Sequence, residues 1–171
     1  EMDRRLTAAE RKDVVVVGAG FSGMYQLYKL REQGLDVQVF EAGSDVGGTW
    51  YWNRYPGARV DIESMAYSFS FSEELQQEWE WSEKYSPQPE LLKYAQHIAD
   101  RFDLKNHIAF NTRVTSAHFD EDADEWLVTT ECGRRIRAQH LVMATGVLSA
   151  SKEPDIIGRE YYQGDTYRTG L

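Results

Sequence analysis

A run of β-branched residues that leads directly into a glycine-rich turn constrains the fold of this chain more than any other feature. Residues 13–17 predict a strand buried on both faces, as at the centre of a parallel sheet. Gly18-x-Gly20-x-x-Gly23 follows without a gap, and a helix is predicted from residue 21 to about residue 33. Residues 37–41 predict a second strand. These segments together predict a β-α-β unit of the Rossmann-like type.

The three glycines have separate roles in a dinucleotide site. Gly18 permits the tight turn, Gly20 lets the backbone approach a pyrophosphate, and Gly23 allows close packing of helix on strand. The helix N-terminus offers free N–H groups to phosphate, and Ser22 adds a hydroxyl donor. Glu41 ends the second strand 18 residues after Gly23, a spacing typical of a carboxylate that accepts both ribose hydroxyls. A carboxylate there favours the adenosine of FAD or NAD over that of NADP, although an ordinary solvated glutamate is the alternative.

The order of the later elements bears on the choice between FAD and NAD. An NAD-dehydrogenase domain continues with alternating strands and helices, whereas this chain continues with a long helix, a three-stranded β-meander and a final apolar strand predicted to run parallel to the first. These elements are predicted at residues 86–102, then 113–119, 125–131 and 135–138, then 140–144. This order resembles the FAD domain of the two-dinucleotide-binding, glutathione-reductase-like flavoproteins. The resemblance implies FAD and an incomplete parallel sheet with a β-meander.

Residues 47–61, the aromatic segment, have neither a helical nor a strand period. Two glycines allow a backbone to approach a ligand closely, Pro56-Gly57 predicts a type II turn, and the aromatic side chains supply flat apolar walls. Such a composition indicates a ligand-binding segment. Core packing is the alternative for Trp50 and Trp52.

The aromatic segment carries a family resemblance. Gly47-Gly48-x-Trp50, followed by Tyr55-Pro56-Gly57 and Asp61, resembles a fingerprint of the type I Baeyer–Villiger monooxygenases. Residues 51–54 and 62–64 look like the branch that contains the phenylacetone and steroid monooxygenases. By this resemblance the chain is the N-terminal FAD-binding portion of such an enzyme.

The resemblance implies an activity for the full-length protein. Members of the family bind FAD, reduce it with NADPH and add O₂, forming a flavin C4a-peroxide that converts a ketone to an ester or lactone. Two alternatives remain: another class B flavin monooxygenase that oxidises nitrogen or sulfur, or a flavin-binding module without activity of its own. The chain alone is not expected to turn over, because it lacks a second G-x-G-x-x-G and the arginine of the peroxyflavin site.

The family's functional residues are carried over onto matching positions only. Asp61 is the implied catalytic residue, where it helps to position that arginine, although a turn cap is the alternative. Arg59 and Val60 are implied to reach the nicotinamide cofactor together with Asp61. The remaining implied FAD contacts are Gly18, Gly20, Ser22 and Gly23 at the pyrophosphate, Glu41 at the ribose, Gly48, Thr49, Trp50, Tyr51, Trp52 and Tyr67 along the flavin, Val114 at the adenine through its backbone, and Val147 beside the Ala-Thr-Gly turn.

The resemblance also divides the chain. Residues 1–12 are expected to form an N-terminal arm, residues 13–150 the first segment of the FAD-binding domain, and residues 151–171 a linker toward an NADPH domain. Within the linker, Tyr162-x-Gly164-x-x-x-Arg168-Thr169 resembles the family's other fingerprint, with Tyr for Phe and Arg for His. The unfinished sheet is expected to pair with the rest of the enzyme or with another copy.

Composition excludes several other classes of function. A net charge of −9 over 171 residues opposes binding to nucleic acid or anionic lipid. The longest aliphatic run is residues 14–17, so neither a signal peptide nor a membrane span is predicted, and the cytoplasm is the expected location. Cys132 is the only cysteine, and the four histidines lack metal-ligand spacing, so no disulfide and no metal site are predicted.

Overall fold

The computed structural model describes residues 9–169, which form one mixed sheet of six strands with helices on one face. The strand order is β3-β2-β1-β6-β5-β4. The strands are β1 Glu10–Val17, β2 Val37–Phe40, β3 Ile108–Ala109, β4 Val114–Asp120, β5 Glu125–Thr130 and β6 Arg135–Met143. The helices are α1 Phe21–Glu32, α2 Thr49–Trp52, α3 Ser64–Tyr67, α4 Glu73–Glu78 and α5 Gln88–Arg101, with single 3₁₀ turns at Lys105–His107 and Arg159–Tyr161.

The predicted β-α-β unit is confirmed. β1 and β2 run parallel, with Val14 opposite Val37 and Val17 opposite Phe40. α1 connects them and ends before Gly34, whose φ of 79° places it in the left-handed region that a glycine adopts without strain. β1 starts at Glu10, three residues earlier than predicted, because residues 10–12 pair with β6. Residues 1–8 of the predicted arm lie outside the described residues.

The prediction of two separate strands at 135–138 and 140–144 is wrong. They form one continuous strand, β6, which pairs antiparallel with β5 through Trp126 and Ala138 and parallel with β1 through Val16 and Val142. The exposed polar residues Gln139 and His140 interrupt the apolar pattern, but backbone hydrogen bonds do not depend on side-chain polarity, so the strand continues through them. The third meander strand therefore belongs to the parallel sheet.

The two faces of the sheet bury different sets of side chains, because alternate residues of a strand point to opposite faces. Val14 and Val16 pack with α1 and α5, whose buried residues include Leu27 and Ile98. Val15 packs on the other face in a cluster that is completed by the meander. The members of that cluster include Phe40, Val128, Ile136 and Ala138, with Val114 and Ala117 packed against it. The predicted long helix at 86–102 is confirmed as α5, and β3 was not predicted because two residues carry no period.

None of the helices within residues 9–169 has the length and hydropathy that a bilayer crossing requires. Over the same residues, no three His, Cys, Asp or Glu side chains come together as metal ligands would.

Candidate cofactor site

The glycine-rich turn between β1 and α1, residues 18–23, is called the phosphate loop. Gly18 has a φ of 103°, and a Cβ built on it would stand 2.5 Å from the carbonyl oxygen of Ala144 at the end of β6. A Cβ on Gly23 would overlap the carbonyl oxygen of Gly18. Any side chain at Gly18 or Gly23 would therefore open the contact between α1 and the ends of two parallel strands.

The N-terminus of α1 carries backbone donors that the described residues leave unused. Gly20 is the N-cap and has no side chain to cap the helix, and the first backbone bond of the helix runs from Met24 N to Gly20 O. No acceptor within residues 9–169 is found for the N–H groups of Phe21, Ser22 and Gly23. Unused donors at a helix N-terminus, beside the exposed hydroxyl of Ser22, suit a phosphate group.

Glu41 lies just beyond β2, and its side chain is buried, with 5% of the residue exposed. One carboxylate oxygen accepts from Ala19 N at 2.7 Å and the other from Gly43 N at 2.7 Å. The carboxylate thus ties the phosphate loop to the turn after β2, a role that the sequence did not predict. Each carboxylate oxygen has a second lone pair, so the predicted ribose contact remains compatible with this arrangement.

The aromatic segment lies directly against the phosphate loop. Gly47 N donates to Ala19 O at 3.1 Å, and the backbones of Gly48 and Gly20 touch without side chains between them. Gly47 and Gly48 have φ values of 128° and 54°, which explains why glycine occupies both positions. The two segments that the sequence marked separately thus form one continuous surface.

Trp50 and Tyr67, both predicted site residues, are in contact, and predicted Asp61 lies near enough for its charge to act on Tyr67. Trp50 is buried, and its Nε1–H donates to the hydroxyl of Tyr67 at 2.9 Å, with the rings edge to face at 5.9 Å. Burial raises the pKa of Tyr67 above its ordinary value, the hydrogen bond from Trp50 opposes the rise, and the negative charge of Asp61 adds to it. Tyr67 therefore remains protonated at neutral pH.

Tyr51 and Trp52 stand at the outer side of the aromatic segment. The Tyr51 hydroxyl and Ser44 Oγ are 2.7 Å apart, and the Arg54 guanidinium lies 4.7 Å from the centre of the Tyr51 ring. Trp52 packs edge to face on Tyr51 and remains 51% exposed. The exposed face of Trp52 is accessible to solvent, whereas Trp50 is buried and packs with Val60 and Leu91. Thr49 begins α2, and its carbonyl accepts from Asn53 N at 2.9 Å.

Arg59, Val60 and Asp61 follow the turn at Pro56-Gly57. Val60 is buried against Trp50 and Leu91. Arg59 is exposed and bonds the Glu83 carboxylate and the Tyr85 carbonyl. Asp61 is exposed, and within residues 9–169 its carboxylate makes no hydrogen bond.

Two predicted residues lie away from this junction. Val114 begins β4 beside an irregularity in its pairing with β5, and its half-buried side chain packs on the opposite face of the sheet. Val147 follows β6 and is 98% exposed, in a stretch without regular structure. In the segment predicted to be a linker, Arg168 pairs with Glu153 at 2.9 Å.

Sequence reasoning missed three buried polar residues around the aromatic segment: Ser64, Ser86 and Gln88. Gln88 donates from its side chain to the carbonyl of Trp50 at 2.5 Å. No periodic pattern marks these residues, because they lie in or beside irregular segments. Only their burial identifies them.

The chain is similar in sequence and fold to known nucleotide-binding proteins and flavin-type monooxygenases. Residues 16–80 match the model of a family described as an NAD(P)-binding Rossmann-like domain. A phenazine N-monooxygenase from Lysobacter antibioticus is 48% identical over 92% of this chain and 29% of its own length. A Baeyer–Villiger monooxygenase from Pseudooceanicola batsensis is 45% identical over 92% of this chain and 29% of its own length.

A solved structure described as oxidised steroid monooxygenase bound to NADP superposes with a TM-score of 0.85 at 55% identity. It matches 94% of this chain and 31% of its own. The chain thus spans about three-tenths of the length of the relatives that it matches.

Proposed function

Because the chain is homologous to a segment of the Baeyer–Villiger monooxygenases, we propose that it is the FAD-binding portion of an NADPH- and O₂-dependent enzyme that converts ketones to esters or lactones. The junction of the phosphate loop with the aromatic segment carries this proposal. One side of the junction offers backbone N–H groups to phosphate, and the other offers aromatic walls to a ring system.

The residues at the junction fit a flavin dinucleotide. The N–H groups of Phe21, Ser22 and Gly23 supply the donors that a pyrophosphate needs, and the Ser22 hydroxyl adds another. Glu41 would hold the ribose, and the backbone of Val114 the adenine. The side chains assigned to the flavin are Thr49, Trp50, Tyr51, Trp52 and Tyr67. When bound, FAD would supply the redox chemistry that activates O₂, while these residues bind and orient it.

Asp61 is the residue proposed to act at the reacting end of the flavin. Its carboxylate is exposed and has no hydrogen-bond partner in residues 9–169, while nearby Arg59 is already held by Glu83. Asp61 is therefore free to orient a guanidinium from outside this chain through charge-assisted hydrogen bonds. Arg59 and Val60 would contact NADPH beside it, and the relative's structure bound to NADP supports a second nucleotide in the complete enzyme.

Oxidation of nitrogen instead of a ketone is the second candidate, because a relative of similar identity is named a phenazine N-monooxygenase. The fingerprint at residues 47–61, which resembles that of the Baeyer–Villiger monooxygenases, argues against this candidate. Product analysis of the full-length enzyme decides: an ester or lactone from a ketone supports the first proposal. An N-oxide without any ester would replace it.

The open edge of β6 suggests how the portion is completed. Residues 139–143 have β1 on one side, while β5 pairs only as far as Ala138 among the described residues. We propose that the rest of the enzyme or another copy adds a strand there. We further propose that the first segment of the FAD domain ends near residue 150, that residues 151–171 form a linker, and that the protein is cytoplasmic. The segment starts at Glu10, where β1 begins, and not at residue 13.

A direct experiment on the chain tests FAD binding first. The purified chain is mixed with FAD, passed over a desalting column and denatured, and the released flavin is measured by fluorescence. Retention of about one FAD per chain supports the proposal. Retention of NAD with no retention of FAD would overturn it. Steady NADPH oxidation by the chain alone would contradict its assignment as a portion of the enzyme.

A further inference from the structure

Three buried polar side chains surround the segment that carries Asp61. Ser64 is 1% exposed, Ser86 0% and Gln88 8%, and they are three of the five buried polar or charged residues within residues 9–169. Burial of a polar group costs free energy unless the group is hydrogen-bonded. A concentration of such groups in irregular backbone indicates that they hold this backbone in place.

The backbone on both sides of Asp61 is tied to residues 84–88. Before Asp61, Val60 N donates to Ser86 O at 3.1 Å, and Gln88 N donates to Ala58 O at 2.9 Å. After Asp61, Ser64 N donates to Lys84 O at 2.8 Å. Residues 61–63 therefore form an arch whose two ends are anchored on the segment before α5.

The hydroxyl groups of Ser64 and Ser86 lock the second end of this arch. Ser86 N donates to Ser64 Oγ at 2.9 Å, and the two Oγ atoms are 2.8 Å apart. Ser64 Oγ–H also has two carbonyl acceptors, Glu83 O at 2.9 Å and Lys84 O at 3.0 Å. Alanine at position 64 would leave the buried N–H of Ser86 without its acceptor, so the arch would have to shift to find another.

We propose that Ser64 and Ser86 are positioning residues that hold the Asp61 carboxylate in its place at the flavin. The inference rests on the proposed FAD site. Because the Asp61 side chain has no hydrogen bond of its own within residues 9–169, only the backbone ties fix the Cα position from which its carboxylate extends. Loss of the two serine hydroxyls would displace the Asp61 carboxylate. The phosphate loop is held by Glu41 and Gly47 instead, so it would still bind the dinucleotide.

The test uses the full chain loaded with FAD, with Ser64→Ala, Ser86→Ala and the control Thr130→Ala. Thr130 is matched because it is 2% exposed and its hydroxyl bonds the backbone of Arg134 in the distant meander. All three variants lower the melting temperature. The visible circular dichroism of bound flavin is expected to change only in the two serine variants. In the same two variants the Kd for FAD is expected to rise by about fivefold, which corresponds to the loss of one hydrogen bond.

A double variant tests whether the serines act through Asp61. If they do, Ser64→Ala changes the flavin signal of the unaltered chain but has no further effect in an Asp61→Asn background. An equal effect in both backgrounds, or an equal effect of Thr130→Ala, would overturn the proposal. Ser64→Cys keeps the shape with a weaker hydrogen-bonding group, and an intermediate signal is expected if Ser64→Ala does not fold. Failure of the unaltered chain to bind FAD would instead reject the proposed function.

Discussion

A Cβ atom built on Gly48 would stand 2.8 Å from the Cα atom of Gly20, so these two glycines bring their backbones into direct contact. Gly20 is the N-cap of α1, whose first N–H groups have no acceptor within residues 9–169, and Gly48 precedes Trp50 and Trp52. The contact therefore holds the glycine-rich turn directly against the aromatic segment, and the proposed FAD site rests on this junction.

Gly48→Ala is expected to separate the two loops. Gly57→Ala is the matched control, because Gly57 also has a positive φ, of 81°, but has no atom within 4 Å of a built Cβ. Gly57→Ala should lose about 1 kcal/mol from backbone strain. Gly48→Ala should lose about 1–3 kcal/mol more, because alanine disfavours its φ of 54° and ψ of −117° and because the added Cβ would clash with Gly20. Urea unfolding measures the difference, and FAD affinity should fall only for Gly48→Ala. Equal losses in the two variants would contradict the contact.

Glu41→Gln is expected to lower the free energy of unfolding of the chain without cofactor, as well as its affinity for the cofactor. The carboxylate accepts from two buried N–H groups, and an amide can accept only one of them and turns its NH₂ toward the other. The expected loss is about 1–3 kcal/mol in urea unfolding without FAD. Exposed Glu131→Gln is the control and should change stability by less than about 0.5 kcal/mol. Unchanged stability of Glu41→Gln would mean that the carboxylate does not tie the two turns together.

Tyr67→Phe is expected to leave the Nε1–H of Trp50 buried without a partner. The ring and its edge-to-face packing remain, so the loss of about 1–3 kcal/mol reports the hydrogen bond alone. A change in tryptophan fluorescence should accompany the loss. Tyr162→Phe, at a residue that is 65% exposed, should change neither. A stable Tyr67→Phe variant with unchanged fluorescence would show that Trp50 does not depend on this bond.

The stability of the chain is expected to fall as the pH rises above 10. Burial raises the pKa of both Tyr67 and Tyr94 above the ordinary value of 10.0. The unfolded chain therefore loses these protons first, and stability present below pH 10 is lost as the pH rises toward the folded-state pKa values. Melting temperatures over this range should fall less steeply for Tyr67→Phe than for the unaltered chain. Identical slopes would contradict a raised pKa for Tyr67.

The fold was predictable where the physical signal was local. The run of valines before Gly18 identified a buried strand, and the three glycines identified the turn and helix that follow, because their spacing within six residues is itself a local signal. The break within β6 was mispredicted because Gln139 and His140 are polar, whereas the strand is maintained by backbone pairing with β1 on one side. The pattern of apolar and polar side chains indicates which residues are buried. Gln139 and His140 are exposed because β5 does not pair beside them, yet β6 still pairs with β1 there.

The sequence predicted which residues form the candidate site, but it did not predict how these residues contact one another. By itself the sequence determined the phosphate loop, the aromatic segment and the carboxylate Glu41, since these depend on residue type and short spacing. Only the tertiary structure decided that Gly20 meets Gly48, that Glu41 ties two turns, and that Ser64 and Ser86 anchor the arch of Asp61. Apart from the bond between Glu41 and Gly43, these contacts join residues more than 20 positions apart. Chain closure over such distances depends on the packing of the whole domain, which no local period records.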